Sequence, residues 1–483
     1  MQKYVIFFLF LLHSVVFSQN NVQKSLDNFT KLSFLKNASI GFKCIDLNTN
    51  TEIASLNASI ALPPASTTKL FTTATALELL PKDLKPATRF YVEGTITEGV
   101  INGNLWIRGG GDVSLGSAYF NKPGSENAFL GQWVDTLQKL GIKKINGSIY
   151  VDGSEFGYKG TPEGWGWSDI GNYYGAGHAG ICIYDNALKY KFSTSKVAGG
   201  KTTLLSTFPI VPALNFKNYI VSSNINNDQS YVYGAPYSYE RFGTGSLPLN
   251  KEIFTVKGSL PDPEYQLAQD FTAYLKQKGI AVNNGFKTVR TNQENTVPNY
   301  AAFHLIYTHF GNSILDIATI ANQKSVNLFA EGLLGILAYQ QTGNGETEVG
   351  IEQVIKYWSK KIDVSGLQLH DGSGLSRSNG ISASHFCALL KEMYTSKNYT
   401  SFLNTLPIAG KSGTIASLCK NQLGEGRIYA KSGTISKIKS YVGYVYSTSG
   451  KKIAFAITVN NYTCNNAELR QQIEYLLNEM AVY

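Results

Sequence analysis

A multi-domain α/β protein, with helices packed on an antiparallel sheet and a β-rich insertion, is the fold class the sequence predicts. Three observations point to it. The chain has 483 residues, 43% hydrophobic and 16% charged, which allows two or three domains with a large core and is too apolar for disorder. Helical and strand textures come in blocks: apolar residues at helical spacing before about residue 90 and after about residue 300, and strands broken by glycine turns between them. The chain then closes with a strand, a hairpin and a helix.

The first block holds the stretch on which the rest turns, Pro63-Pro64-Ala65-Ser66-Thr67-Thr68-Lys69-Leu70. The prolines cannot continue a helix backwards, and Ser66 suits a first turn. Leu70, Ala74, Leu77 and Leu80 then mark one buried helical face until Pro81 ends it. Three residues separate Ser66 from Lys69, so one turn brings hydroxyl and amine to the same side. A serine is a weak nucleophile without a base, and a lysine serves when burial or another cation lowers its pKa. A helix start also aims free N–H groups at a developing oxyanion. Five other serines have a lysine three residues later, and any single such pair is most often a solvated surface pair. The Ser66 pair differs because it opens a helix too apolar for the surface.

In chain order, residues 39–46 and 52–56 read as a strand pair and 90–97 and 104–108 as strands. Gly109-Gly110-Gly111 lacks the Lys-Ser/Thr ending and the following helix of a phosphate loop, so it reads as a structural turn. Residues 130–140 read as a helix and 147–151 as a strand. Gly164-Trp165-Gly166-Trp167-Ser168-Asp169, followed by Tyr173-Tyr174, is an aromatic loop suited to packing or to a binding rim. The stretch 186–255 is polar and strand-like, and 264–278 is helical. Helical texture returns from about residue 300, with helices expected at 313–322, from Lys324-Ser325-Val326-Asn327 onward, at 353–360 and at 384–394. A strand over 427–431 enters Ser432-Gly433-Thr434, a hairpin turns at Ser449-Gly450, and Leu469, Ile473, Leu476 and Met480 mark the inward face of a last helix.

Composition narrows the function classes. Residues 1–18 have the form of a secretory signal: Lys3, an apolar run too short for a confident span, and Val16-Phe17-Ser18 as a cleavage site. Secretion across the inner membrane to the periplasm is expected, with an uncleaved anchor as the alternative. The formal charge of +9 suits anionic cell-wall or membrane surfaces and peripheral association with them, and it suits ordinary solubility as well. No basic run with interleaved aromatics points to nucleic acid. The five cysteines (Cys44, Cys182, Cys387, Cys419, Cys464) and six histidines form no metal spacing, so neither metal nor cofactor is expected.

Three short elements fall in order: Ser66-x-x-Lys69, Ser325-x-Asn327 and Lys431-Ser432-Gly433. A second copy of the last, Lys411-Ser412-Gly413-Thr414, has a loop-like approach; Lys431 has a strand leading in and a hairpin following, as an edge strand lining a cleft requires. With these motifs the chain resembles the penicillin-recognising serine peptidases. More narrowly, it resembles the D-alanyl-D-alanine carboxypeptidase/endopeptidase family of class C low-molecular-mass penicillin-binding proteins (peptidase family S13). The likeness extends through Gly109-Gly110-Gly111-Asp112, the loop from Gly164 to Asp169, Asp371-Gly372-Ser373-Gly374-Leu375-Ser376-Arg377 and the long insertion after the first motif. Ser432 stands where the family more often has threonine; either supplies a hydroxyl.

The resemblance implies a transpeptidase/β-lactamase-like core from 20–89 and 296–483, with 90–295 inserted as two β-rich domains (90–185 with 256–295, and 186–255). It implies a serine carboxypeptidase or endopeptidase acting on peptidoglycan stem peptides, with β-lactams as inhibitors. Ser66 is then the nucleophile and Lys69, its pKa lowered by Lys431, the base. Ser325 passes the proton to the leaving amine and Asn327 binds the substrate amide. Ser432, Gly433 and Thr434 line the carboxylate end, and N–H groups of Ser66 and Thr434 form the oxyanion hole. Asp169 reads the amino end of the stem peptide. The competing readings are a β-lactamase-like or esterase enzyme on the same fold, disfavoured by the insertion and the lack of a deacylating glutamate motif, and a vestigial wall-binding protein.

Overall fold

The computed structural model describes residues 21–292 and 298–483; the signal expected over 1–18 lies outside them. The chain forms two compact units. One takes the chain up to Leu79, then Ala318–Val326 and Ile351–Tyr483; the other takes Leu80–Ile317 and Asn327–Gly350.

The first unit is built on a five-stranded antiparallel sheet in the order Ile428–Ile435, Ile438–Tyr446, Lys452–Asn460, Ser39–Asp46, Thr51–Leu56. The last hairpin therefore pairs with the first: Ser39 lies opposite Asn460 and Asp46 opposite Ile453. Strands buried on both faces need unbroken apolar runs, and Ile453, Phe455, Ile457 and Val459 on one face alternate with Ala454 and Ala456 on the other, all fully buried. One face is covered by the C-terminal helix Asn466–Val482, through Leu469, Ile473, Leu476, Leu477 and Met480. That helix begins where Asn465 Oδ1 accepts from the N–H groups of Ala467 and Glu468, a cap typically worth about 1 kcal/mol. The helix Ala383–Thr395 packs on the other face, against Lys452–Asn460 and Ser39–Asp46.

The serine helix, Lys69–Leu79, is buried all round from Lys69 to Leu77. Its stripe at Leu70, Ala74 and Leu77 is as expected, but Phe71 is equally enclosed, with ring contacts to Trp358 and Phe386. Trp358 Nε1 donates to Thr75 Oγ1 at 2.8 Å, so the helix is held by packing and by satisfied polar groups.

The second unit carries a seven-stranded sheet that includes Ala87–Thr97, Val100–Arg108, Ile149–Asp152 and His304–Phe310, with smaller sheets over 187–259. One apolar cluster, from Phe90 through Trp133, Tyr190 and Val232 to Phe271, runs through all three sheets. The helical texture expected from residue 300 begins later: His304–Phe310 is a strand paired antiparallel with Ala87–Thr97. It is nowhere fully buried and has no clean alternation, so its sequence carries no period-two signal. The helix expected at 353–360 starts earlier, as Thr347–Trp358. The triglycine, expected as a turn, is an irregular stretch packed tightly against neighbouring backbone: a Cβ on Gly109 would fall 2.2 Å from the Gly180 carbonyl oxygen, and one on Gly110 2.4 Å from that of Ala87. The five cysteines form no disulfide, and among the described residues no helix is long and apolar enough to cross a membrane.

Candidate active site

Local backbone geometry presents Ser66. Pro64 stops the preceding chain, Ala65 takes a left-handed conformation (φ +52°), and a 3-10 turn over Ala65–Thr68 runs straight into the serine helix. A non-glycine residue in that region costs of order 1–3 kcal/mol and persists only where its surroundings impose it. Here they do: Thr67 Oγ1 donates to the Pro64 carbonyl and Thr68 Oγ1 to that of Ala65. Gly374 fits against the same turn, where a Cβ would lie 1.9 Å from the Ala65 oxygen.

Lys69 Nζ donates to Ser66 Oγ at 3.1 Å and to the Ser373 carbonyl at 2.8 Å. The Asp371–Arg377 turn therefore has a definite task. Asp371 accepts from the N–H groups of Gly374 and Ser376 and from Asn379 Nδ2. The turn so fixed aims one carbonyl at the amine of Lys69 and another, Gly372, at Thr72 Oγ1. Spacing alone gave no hint of the Ser373 contact, which joins residues 304 positions apart.

A second amine–hydroxyl pair lies in the same unit. Lys431 Nζ donates to Ser325 Oγ at 2.8 Å and to the Ser432 carbonyl at 2.7 Å. Ser325, like Ala65, is left-handed (φ +59°), at a sharp turn between helices. Both lysines are inaccessible to solvent. Burial drives the Lys431 amine well below the ordinary lysine range, and the charges of Lys69 and Lys439 push it further the same way. Lys431 sits on the edge strand Ile428–Ile435, the sequence-favoured copy of the motif. The other copy, Lys411-Ser412-Gly413-Thr414, is a turn, and its Lys411 pairs at the surface with Glu425.

Gly433 brings this strand against the serine turn. A Cβ there would stand 2.2 Å from Ser440 Oγ, 2.6 Å from the Pro64 carbonyl and 3.1 Å from the Ser66 nitrogen. No other residue type fits at that approach. Ser432 is partly exposed and Thr434 exposed, so both hydroxyls of the strand can be reached from solvent.

Asn327 and Asp169 belong to the second unit. Asn327 opens the helix Asn327–Thr342, and its Nδ2 donates to the Tyr174 carbonyl at 2.8 Å. Tyr174 Oη in turn donates to Asp169 Oδ1 at 3.3 Å. The sequence-selected Asp169, Tyr174 and Asn327 are thus one connected set. Trp167 and Tyr173 of the same loop stand about half exposed.

A serine on a strained turn with a buried lysine as its hydrogen-bond partner, a second serine–lysine pair, and an edge strand ending in hydroxyls are the parts an active-site-serine acyl-transfer enzyme needs. The chain belongs to the D-Ala-D-Ala carboxypeptidase 3 (S13) family, whose match runs over residues 22–480. It is 26% identical over 444 residues to the D-alanyl-D-alanine carboxypeptidase DacB of Haemophilus influenzae, covering 89% of this chain and 87% of that one. It is 24% identical over 458 residues to the D-alanyl-D-alanine carboxypeptidase of Actinomadura sp. (strain R39), covering 92% and 81%. The crystal structure of penicillin binding protein 4 from Haemophilus influenzae superposes with a TM-score of 0.79 at 23% identity, over 95% of this chain and 99% of that one. The protein is a serine-type D-Ala-D-Ala carboxypeptidase, and the expected transpeptidase-like α/β fold is present.

Proposed function

We propose that Ser66 is the nucleophile of this reaction on peptidoglycan stem peptides. The observation that carries the reading is Lys69 Nζ, buried and 3.1 Å from Ser66 Oγ, with the second buried amine of Lys431 bonded to Ser325. Lys69 takes the Ser66 proton as Oγ attacks the carbonyl between two D-alanines. N–H groups of Ser66 and Thr434 hold the oxyanion, each worth roughly 3 kcal/mol in such sites. The C–N bond breaks, and Ser325 passes a proton to the leaving amine and is replenished from Lys431, to which the proton taken up by Lys69 is returned. Water then attacks the ester, releases the shortened peptide and restores the Ser66 hydroxyl.

Asn327 binds the substrate amide two residues after Ser325, and Ser432 and Thr434 bind the terminal carboxylate. Asp169, held by Tyr174, reads an amino group of the stem peptide. The protein works in the periplasm, after export by the segment 1–18, and associates with the wall or membrane surface through its positive charge. Penicillins acylate Ser66 and inhibit, consistent with the penicillin-binding name of the Haemophilus structure.

The test is labelling with a fluorescent penicillin beside Ser66→Ala, with intact mass and D-alanine release from a D-Ala-D-Ala peptide. A stable adduct and D-alanine release, both lost in the variant, are expected. An adduct that persists in Ser66→Ala would overturn the assignment. For Asp169, the expected result is that Asp169→Ala slows cleavage of a diamino-acid-bearing peptide more than of one lacking the second amine; equal effects would remove Asp169 from recognition.

A further inference from the structure

The edge strand ends in two hydroxyls, and each has a partner outside the three motifs. Ser432 Oγ lies 2.8 Å from Thr414 Oγ1. Thr434 Oγ1 accepts a hydrogen bond of 2.8 Å from Lys439 Nζ. Lys439 stands directly opposite Thr434 in the register of the edge strand with Ile438–Tyr446. It is half-buried, with its amine 5.2 Å from the ring centroid of Tyr441. Among the described residues no carboxylate lies within ion-pair distance of it.

A cation drawn partly out of water is normally matched by an anion of the protein. Among the described residues Lys439 meets only neutral partners, the hydroxyl of the exposed Thr434 and the face of the Tyr441 ring. The consequence for Thr434 is directional. A threonine hydroxyl has one proton to give and two lone pairs to accept with. The Lys439 amine occupies a lone pair, which leaves the proton of Thr434 to be donated to another acceptor. The Thr414 hydroxyl likewise shares a single proton with Ser432 Oγ and restricts how that group can turn. Arg377, another cation near the hairpin, donates from Nη1 to a backbone oxygen, the Ser436 carbonyl.

We propose that Lys439 is a positioning residue for the carboxylate end of the substrate: it fixes the Thr434 hydroxyl as a donor and supplies the positive charge that selects a peptide ending in a free carboxylate. The inference rests on the assignment of the edge strand to substrate binding. Burial and the nearby Arg470 bring the Lys439 amine down to about 8, as fits a cation that lacks a counter-ion of its own.

The experiment compares one peptide ending in D-Ala-D-Ala with its C-terminal amide, in the wild type, Lys439→Met, Lys439→Arg and Thr434→Val. Lys439→Met is expected to raise KM for the free acid about tenfold or more, the value of a charge-assisted hydrogen bond, with kcat within about threefold. Its preference for acid over amide falls by the same factor, and Lys439→Arg restores most of it. In the Thr434→Val background, Lys439→Met adds much less, because the hydroxyl it orients is gone. An unchanged acid-to-amide ratio in Lys439→Met overturns the proposal, as does full additivity of the two substitutions. Penicillin labelling of the same samples separates the levels. Labelled, folded Lys439→Met with an unaltered ratio removes only the Lys439 role, whereas a wild type that neither labels nor cleaves removes the function on which it stands.

Discussion

Lys431 in the first unit and Arg241 in the second are both buried cations, and among the described residues both meet only neutral oxygens. Lys431 donates to a serine hydroxyl and a carbonyl; Arg241 donates to Ser259 Oγ and to the carbonyls of Ala235 and Ser238. Burial lowers the pKa of each. The outcomes differ because of the side chains. A guanidinium starts so high that it keeps its proton in any protein setting, so Arg241 is a rigid five-donor clamp. An ammonium in the same setting can give its proton up, and Lys431 is hydrogen-bonded to a hydroxyl able to carry it. Elsewhere the second unit adds counter-ions: Arg290 pairs with the buried Asp262 and Arg108 with Glu155. The second unit buries charge to hold structure; in the first, the proposed mechanism uses it to move protons.

The sharpest way to break this contrast is to give Lys431 the permanence of arginine. Lys431→Arg keeps the charge and loses the mobile proton. Turnover is expected to fall about 10²–10⁴-fold, the range of a general acid or base, and close to the loss in Lys431→Met. D-alanine release measures it, and a Lys431→Arg enzyme within tenfold of wild type would show that charge alone is needed.

Arg290→Ala tests the other side. It strands the Asp262 carboxylate, which also caps its helix by accepting from the Tyr265 N–H. Breaking one partner of a buried pair costs about 3–5 kcal/mol. A large drop in thermal stability is expected, with penicillin acylation per folded molecule within a few-fold of wild type.

Glu264 gives the pH-dependent case. Burial first, then the neighbouring Asp262 and Asp152, raise its carboxyl from 4.5 to about 8. Between those values the folded state holds a proton the unfolded chain has lost, so its contribution to stability falls as pH rises through that window. Glu264→Gln removes the dependence. Melting temperatures at pH 5.5 and 8.5 should therefore shift in favour of the variant at the higher pH, and a constant difference would reject the assignment. The smallest effect is expected at the exposed pair Lys159–Glu348: Lys159→Ala should change stability by less than about 1 kcal/mol.

The sequence made the proposed acylation machinery legible where chemistry follows local spacing. Ser66 and Lys69 share a helical turn, and Lys431 was separable from Lys411 because a strand leads into it. What stayed hidden depends on contacts between distant segments. The discarded motif copy was read as a loop, yet its Thr414 meets Ser432 across a tertiary contact. The Ser373 carbonyl that holds Lys69, and Lys439 opposite Thr434, are likewise products of packing and register. His304–Phe310 was missed for a related reason: a strand that buries little of either face leaves no pattern in its residues.

The pairing of Ser39–Asp46 with Lys452–Asn460 has a consequence for how the enzyme comes into being. The strand that seats Ser39–Asp46 is made long after it, and the edge strand with Lys431 joins the early hairpin only through that strand and Ile438–Tyr446. The cost of closing so long a loop grows only with the logarithm of its length, but such non-local pairing is slow to form. A nascent chain emerging in order would carry Ser66 long before it could support Lys431 beside Ser325. Under the proposed mechanism, penicillin labelling of Ser66 doubles as a readout of completed assembly, silent in any chain stalled or clipped before residues 428–460 have joined the sheet.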